Sequence, residues 1–99
     1  MYVFVRKDLT HSQQVVQASH ACIEASRVFL EPDTEHPHLV VIGVKNQNKL
    51  KKCIEHLKQL NICHKEFIEP DIGNEITAVA TVPISGDIRM HLAKYCLLS

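Results

Sequence analysis

Three features of this 99-residue chain predict an α/β fold in three layers, α/β/α, around a four-stranded mixed sheet. Short continuous apolar runs, suited to strands buried on both faces, alternate with segments whose apolar residues recur at helical spacing. Such alternation implies parallel pairing through crossover helices. A turn-rich stretch near residues 69–74 then makes the last two strands run in opposite senses. The element order is β-α-β-α-β-β-α, within a single domain over residues 1–99.

Residues 2–6 open the chain with a strand, Tyr-Val-Phe-Val-Arg. Thr10 or Ser12 can cap the helix that follows over 13–29. Its apolar stripe is Val15, Ala18, Cys22, Ala25 and Phe29, and its polar stripe is Gln13, Gln17, His20, Glu24 and Arg27. Residues 31–37 carry two prolines and no apolar side chain, which marks a loop. His38 to Val44 is the strongest strand pattern and reads as a central strand. Helix 47–60 buries Leu50, Cys53, Ile54, Leu57 and Leu60, and exposes lysines that Glu55 can pair with, at Lys51 or Lys52. A weaker strand follows at 63–68, and then a strand at 75–82 in which Ile76, Ala78, Ala80 and Val82 share one face by alternation. Pro83 stops it, and Ser85 caps a last helix over 85–95 carrying Ile88, Leu92 and Tyr95.

The chain is 45% hydrophobic and 22% charged, which excludes a disordered composition. Eleven Lys+Arg balance eleven Asp+Glu, so nucleic-acid binding by a strongly basic domain is excluded and only a local basic edge remains. No apolar run reaches the roughly 20 residues of a membrane-spanning helix. No signal-peptide pattern opens the chain, so the expected compartment is the cytoplasm. A core this small is marginal alone, and a homodimer is one way to add burial. Cys22, Cys53, Cys63 and Cys96 lack metal or redox spacing and read as structural thiols. His36-Pro37-His38 has no partner pair at ligand spacing and reads as a polar loop, so no metal or cofactor is expected.

In α/β sheets ligands favour the carboxyl ends of the parallel strands. Here that edge collects Arg6, Lys7, Asp8, Lys45, Asn46, Asp71 and Asn74, and the start of the first helix adds Gln13 and Gln17. His20 lies further along the same stripe of the helix. Asp71 is either an Asx-turn residue or a base, Gln17 and His20 either solvated or functional, and the lysines either a charged surface or phosphate contacts.

Val5-Arg6-Lys7-Asp8-Leu9, followed by Gln17-Ala18-Ser19-His20-Ala21, resembles the opening of the type 2 peptidyl-tRNA hydrolases. Asp71-Ile72-Gly73-Asn74-Glu75 and Thr81-Val82-Pro83 stand where that family has Asp-Ala-Gly-Arg-Thr-Gln and its later Gly-Pro turn. The element order matches over nearly the whole chain. Two functional positions depart: the family's helix lysine falls on Gln13, and its threonine after the aspartate falls on Glu75. Glu75 also adds a negative charge near Asp71, which repels phosphate.

The resemblance implies hydrolysis of the ester joining a peptidyl group to tRNA. Such a reaction needs an oriented water, a stabilised carbonyl oxygen and a held nucleic acid. It assigns catalysis to Asp71, Gln17 and His20, expected to line one concavity with Gln13 and Glu75 at its rim. Substrate contacts are expected from Arg6, Lys7, Gln13, Lys45, Lys49 and Asn74, and the partner is a tRNA or another RNA-linked acyl group. The alternative is a non-catalytic binding module that keeps the fold. Losing one stabilising group can cost about 10²–10³ in rate, so Gln13 and Glu75 discriminate the two.

Overall fold

The computed structural model describes residues 1–33 and 35–99; Thr34, within the predicted loop, lies outside the described residues. Four strands form one mixed sheet: β1 (Tyr2–Arg6), β2 (Val40–Val44), β3 (His64–Glu69) and β4 (Glu75–Thr81). Helix α1 spans His11–Phe29 and α2 spans Gln47–Gln59. The strand order is β2-β1-β4-β3. β1 pairs parallel with β2 and antiparallel with β4, and β3 pairs antiparallel with β4. The three-layer mixed sheet predicted from the sequence is therefore the fold.

Both faces of the sheet are covered, which is why its inner strands read as continuous apolar runs. Phe4, Ile42, Val44 and Val79 pack on one face against Leu50, Cys53, Ile54 and Leu57 of α2. Val3, Val5, Ala78 and Ala80 pack on the other against Ala21 and Ala25 of α1. Small residues on both sides let α1 approach the sheet closely.

Five expectations are corrected. The 38–44 run is not central: β2 starts at Val40 and lies at the end of the strand order. The C-terminal tail covers its outer edge, with the Gly43 N–H donating to Cys96 O at 3.2 Å and the Leu98 N–H to Val41 O at 2.9 Å. That cover quiets an edge which would otherwise expose unpaired amides. The buried side of α1 also differs, with Gln14, Gln17, Ala21 and Ala25 inward and Val15 65% exposed.

The last helical segment is a 3₁₀ run over Gly86–Leu92, without a side-chain bond from Ser85. Gly86 enters it at φ +72°, and the bonds Ala93 N–H to Met90 O and Tyr95 N–H to Leu92 O span three residues. Glu55 pairs with Lys58 at 3.6 Å, one turn C-terminal to itself, and not with Lys51 or Lys52 one turn N-terminal.

β4 does not alternate throughout. Phe67 pairs with Ala78 and Ile68 with Ile76, so Thr77 has no partner on β3 and forms a bulge. Ile76 packs on the α2 side and Ala78 on the α1 side, against the expected shared face. The extra residue flips the parity of the strand, and Thr77 turns its hydroxyl toward α1.

Candidate functional site

α1 begins at the carboxyl edge of β1 because Thr10 caps it there. The Thr10 side chain accepts from the Gln13 N–H at 3.2 Å, and Gln13 Oε1 accepts from the Thr10 N–H at 3.0 Å. This reciprocal capping box employs Gln13, the position where the family resemblance has a lysine. One turn further on, Gln17 is 4% exposed. Its Oε1 accepts from Thr77 Oγ1 at 2.6 Å, and its Nε2 donates to Glu69 Oε2 at 2.9 Å.

The orientation of that amide follows from its neighbours. An ionised carboxylate only accepts, so Nε2 must face Glu69 and Oε1 must face the hydroxyl. Glu69 is half-buried at the end of β3, and its other oxygen accepts from the Asp71 N–H at 3.2 Å. The Gln17 amide first, and the Asp71 N–H second, hold the Glu69 carboxyl below its ordinary range, with a smaller effect from His20. Glu69 thereby caps the one-turn 3₁₀ helix Pro70–Ile72 that presents Asp71 to solvent. Gly73 and Asn74 then turn the chain into β4 through left-handed conformations, at φ +66° and +61°. His20 is exposed, with its ring stacked on Phe67 at 4.6 Å between centroids and 5° between planes.

On the α2 side of the same edge lies a second polar group. Arg6 is 7% exposed and makes two bonds to Asp8, at 3.0 and 2.8 Å. It makes a third to Glu75 at 2.6 Å. The paired carboxylates raise the affinity of Arg6 for its proton, and the guanidinium holds Asp8 below the ordinary carboxylate range. Glu75 therefore shares the single Arg6 guanidinium with Asp8, and the cluster keeps one net negative charge. Arg6, expected as a substrate contact, has its fork filled by protein carboxylates.

Lys7, Asp8, Gly43, Lys45 and Cys96 line a cavity of about 460 Å³ at this edge. Lys45 and Lys49 also line a neighbouring cavity of about 340 Å³. Among the described residues, no group of three or more His, Cys, Asp or Glu is placed to hold a metal ion. No helix of the described residues is long and apolar enough to cross a membrane.

The structure joins Gln17 and Asp71 through Glu69, with His20 beside them, by hydrogen bonds and ring stacking rather than in either lysine-lined cavity. Gln13 sits apart in the helix cap, and Asn74 is exposed on the turn. Glu69 and Thr77 escaped the sequence reading. The Glu-Pro step was a legible hint of a cap at Glu69. The turn of Thr77 toward α1 depends on a bulge that no local pattern announces.

A mixed four-stranded sheet between helices, with a polar network at the carboxyl edge of its parallel pair, places the chain in the α/β class. The family model for peptidyl-tRNA hydrolase PTH2 matches residues 1–95, and the chain belongs to that family. No curated protein matches the chain significantly.

Proposed function

We infer that this chain hydrolyses the ester between a peptidyl group and tRNA at the edge formed by Gln17, His20, Glu69 and Asp71. The observation that carries this reading is the continuous hydrogen-bonded path from Thr77 through Gln17 and Glu69 to the Asp71 backbone. It holds the buried Gln17 amide and ties down the backbone of the turn that carries the exposed Asp71 carboxylate, which supports an attacking water and an oxyanion donor there. Asp71 orients the water and accepts its proton as oxygen attacks the carbonyl carbon. Gln17 keeps a second Nε2 hydrogen beyond the one given to Glu69, and that hydrogen serves the developing oxyanion. His20 donates the proton taken up by the departing 3′ oxygen of the tRNA. Lys7, Lys45 and Lys49 contact RNA phosphates, and Asn74 lies where the substrate chain passes. The setting is cytoplasmic, where peptidyl-tRNA is made.

The test is single-turnover hydrolysis of peptidyl-tRNA by wild type and Asp71→Asn. The amide is nearly isosteric but a far poorer base, so the rate falls about 10²-fold or more with the circular-dichroism spectrum unchanged. Equal rates for the two proteins reject the assignment.

A second reading, a binding module without turnover, is favoured by one observation. Gln13, at the family's lysine position, and Arg6, expected as a substrate contact, are committed to a helix cap and an ion pair. Under that reading wild type retains peptidyl-tRNA without cleaving it.

A further inference from the structure

The cavity between the start of α2 and the C-terminal segment concentrates positive charge on a chain of zero formal net charge. It is about 340 Å³ and is lined by Lys45, Lys49, Lys52 and Lys94 together with Val44, Cys53, His56 and Tyr95. That is at the lower end of small-ligand sites, about 300–1,000 Å³. No carboxylate contributes to its lining. Among the described residues, none of the four lysines has a carboxylate within salt-bridge distance, because Glu55 is taken by Lys58. Four of the chain's eleven basic side chains thus face one hollow without internal neutralisation. Like charges so placed repel one another, and an anion of more than one charge relieves that repulsion best.

The floor of the hollow is apolar, made by Val44, Cys53 and the ring of Tyr95, which Phe4 props edge-on at 5.1 Å between centroids. His56 Nδ1 lies 2.7 Å from Tyr95 Oη. Burial first, and Cys53 second, push the Tyr95 hydroxyl up to about 12, so it keeps its proton. Burial first, and then Lys94 and His91, lower the basicity of His56. His56 and Tyr95 thus place a hydrogen-bonded polar pair at the wall of the cavity, with the donor set by the imidazole tautomer.

We propose that this cavity binds a nucleoside monophosphate, with the phosphate among Lys45, Lys49, Lys52 and Lys94 and the base against Val44, Cys53 and Tyr95. The lysines supply point charges for a dianionic phosphate, and the apolar floor selects a planar group attached to it. The ligand is a free nucleotide or the terminal nucleotide of an RNA strand; both offer the same chemistry. The proposal does not depend on ester hydrolysis, since a chain that cleaves nothing still carries the cavity.

The experiment is titration of the full chain with AMP at low salt, followed by NMR at Val44, Cys53, His56 and Tyr95. Adenosine, inorganic phosphate, and a short RNA with and without a terminal phosphate form the comparison arms. AMP is expected to shift these resonances and to bind about tenfold or more tighter than adenosine or phosphate alone. The K49Q/K94Q double variant is expected to weaken AMP about tenfold with an unchanged fold. A terminally phosphorylated RNA that matches or exceeds AMP assigns the strand end as the source; AMP alone assigns the free nucleotide. The proposal is overturned by equal binding of adenosine or inorganic phosphate, by no shift at these residues, by wild-type affinity in the double variant, or by equal binding of the unphosphorylated RNA. Peptidyl-tRNA turnover, measured separately, bears on the hydrolase reading and not on this one.

Discussion

Thr77 Oγ1 donates to Gln17 Oε1 at 2.6 Å across 60 residues of sequence. The bond ties the first helix to the bulge in β4, and it fixes which end of the Gln17 amide faces Glu69. Structure and proposed chemistry meet in this contact, because the same amide that closes a buried polar path also donates to Glu69, the cap of the turn that carries Asp71.

Thr77→Val keeps the shape of the side chain and removes the donor. Gln17 Oε1 is then left without its hydroxyl partner in a buried setting, at a cost of about 1–3 kcal/mol. Urea unfolding should show a lower midpoint at unchanged slope. Thr77→Ser, which keeps the hydroxyl, should recover most of the loss.

Acid sensitivity follows from two depressed carboxyls. Arg6 lowers Asp8 below its ordinary value of 3.8, and Gln17 with the Asp71 N–H lowers Glu69 below 4.5. Between the folded and unfolded values the unfolded chain binds more protons, so stability rises with pH there. The contribution is complete above about pH 5 and is lost as pH falls toward the folded values. Urea midpoints measured from neutral pH into this window should fall for wild type. They should fall less for Asp8→Asn and Glu69→Gln, whose starting stability is already lower.

Gln13→Lys separates stability from turnover. It removes the Gln13 half of the capping box and leaves the bond from the Gln13-position N–H to Thr10, so the loss is about 0.5 kcal/mol, against about 1 kcal/mol for Thr10→Ala. It also supplies the cation that the family places there. Thermal melts should show a small decrease, while peptidyl-tRNA turnover stays level or rises.

RNA binding should be weak and salt-sensitive. Three phosphate contacts, at Lys7, Lys45 and Lys49, give a slope of log affinity against log salt of about −2 to −3. Fluorescence titration of tRNA across a salt series measures it. A flat dependence removes these lysines from the interface, and no binding at low salt favours a protein partner.

The sequence by itself determined the number and order of elements, both covered faces of the inner strands, and the family. The family is written in short motifs and the elements in local periodicity: Tyr2–Val5 is apolar throughout because helices cover both sides, and α2 carries its inward residues at helical steps. It also brought Gln17, His20 and Asp71 into view through their motif and their shared edge.

Tertiary structure alone decided how those residues meet. Exposed Val15 and buried Gln17 reverse the simple apolar reading of α1, because the polar path to Thr77 and Glu69 rewards burying an amide there. The bulge at Thr77 depends on the register of β3 against β4, a relation between distant segments that alternation within one strand does not encode. Arg6 was legible as a cation at the edge, but its capture by Asp8 and Glu75 required the start of β4 to arrive beside the end of β1. Local sequence sets which side chains an element carries; the packing of elements far apart in the chain sets which partners those side chains find.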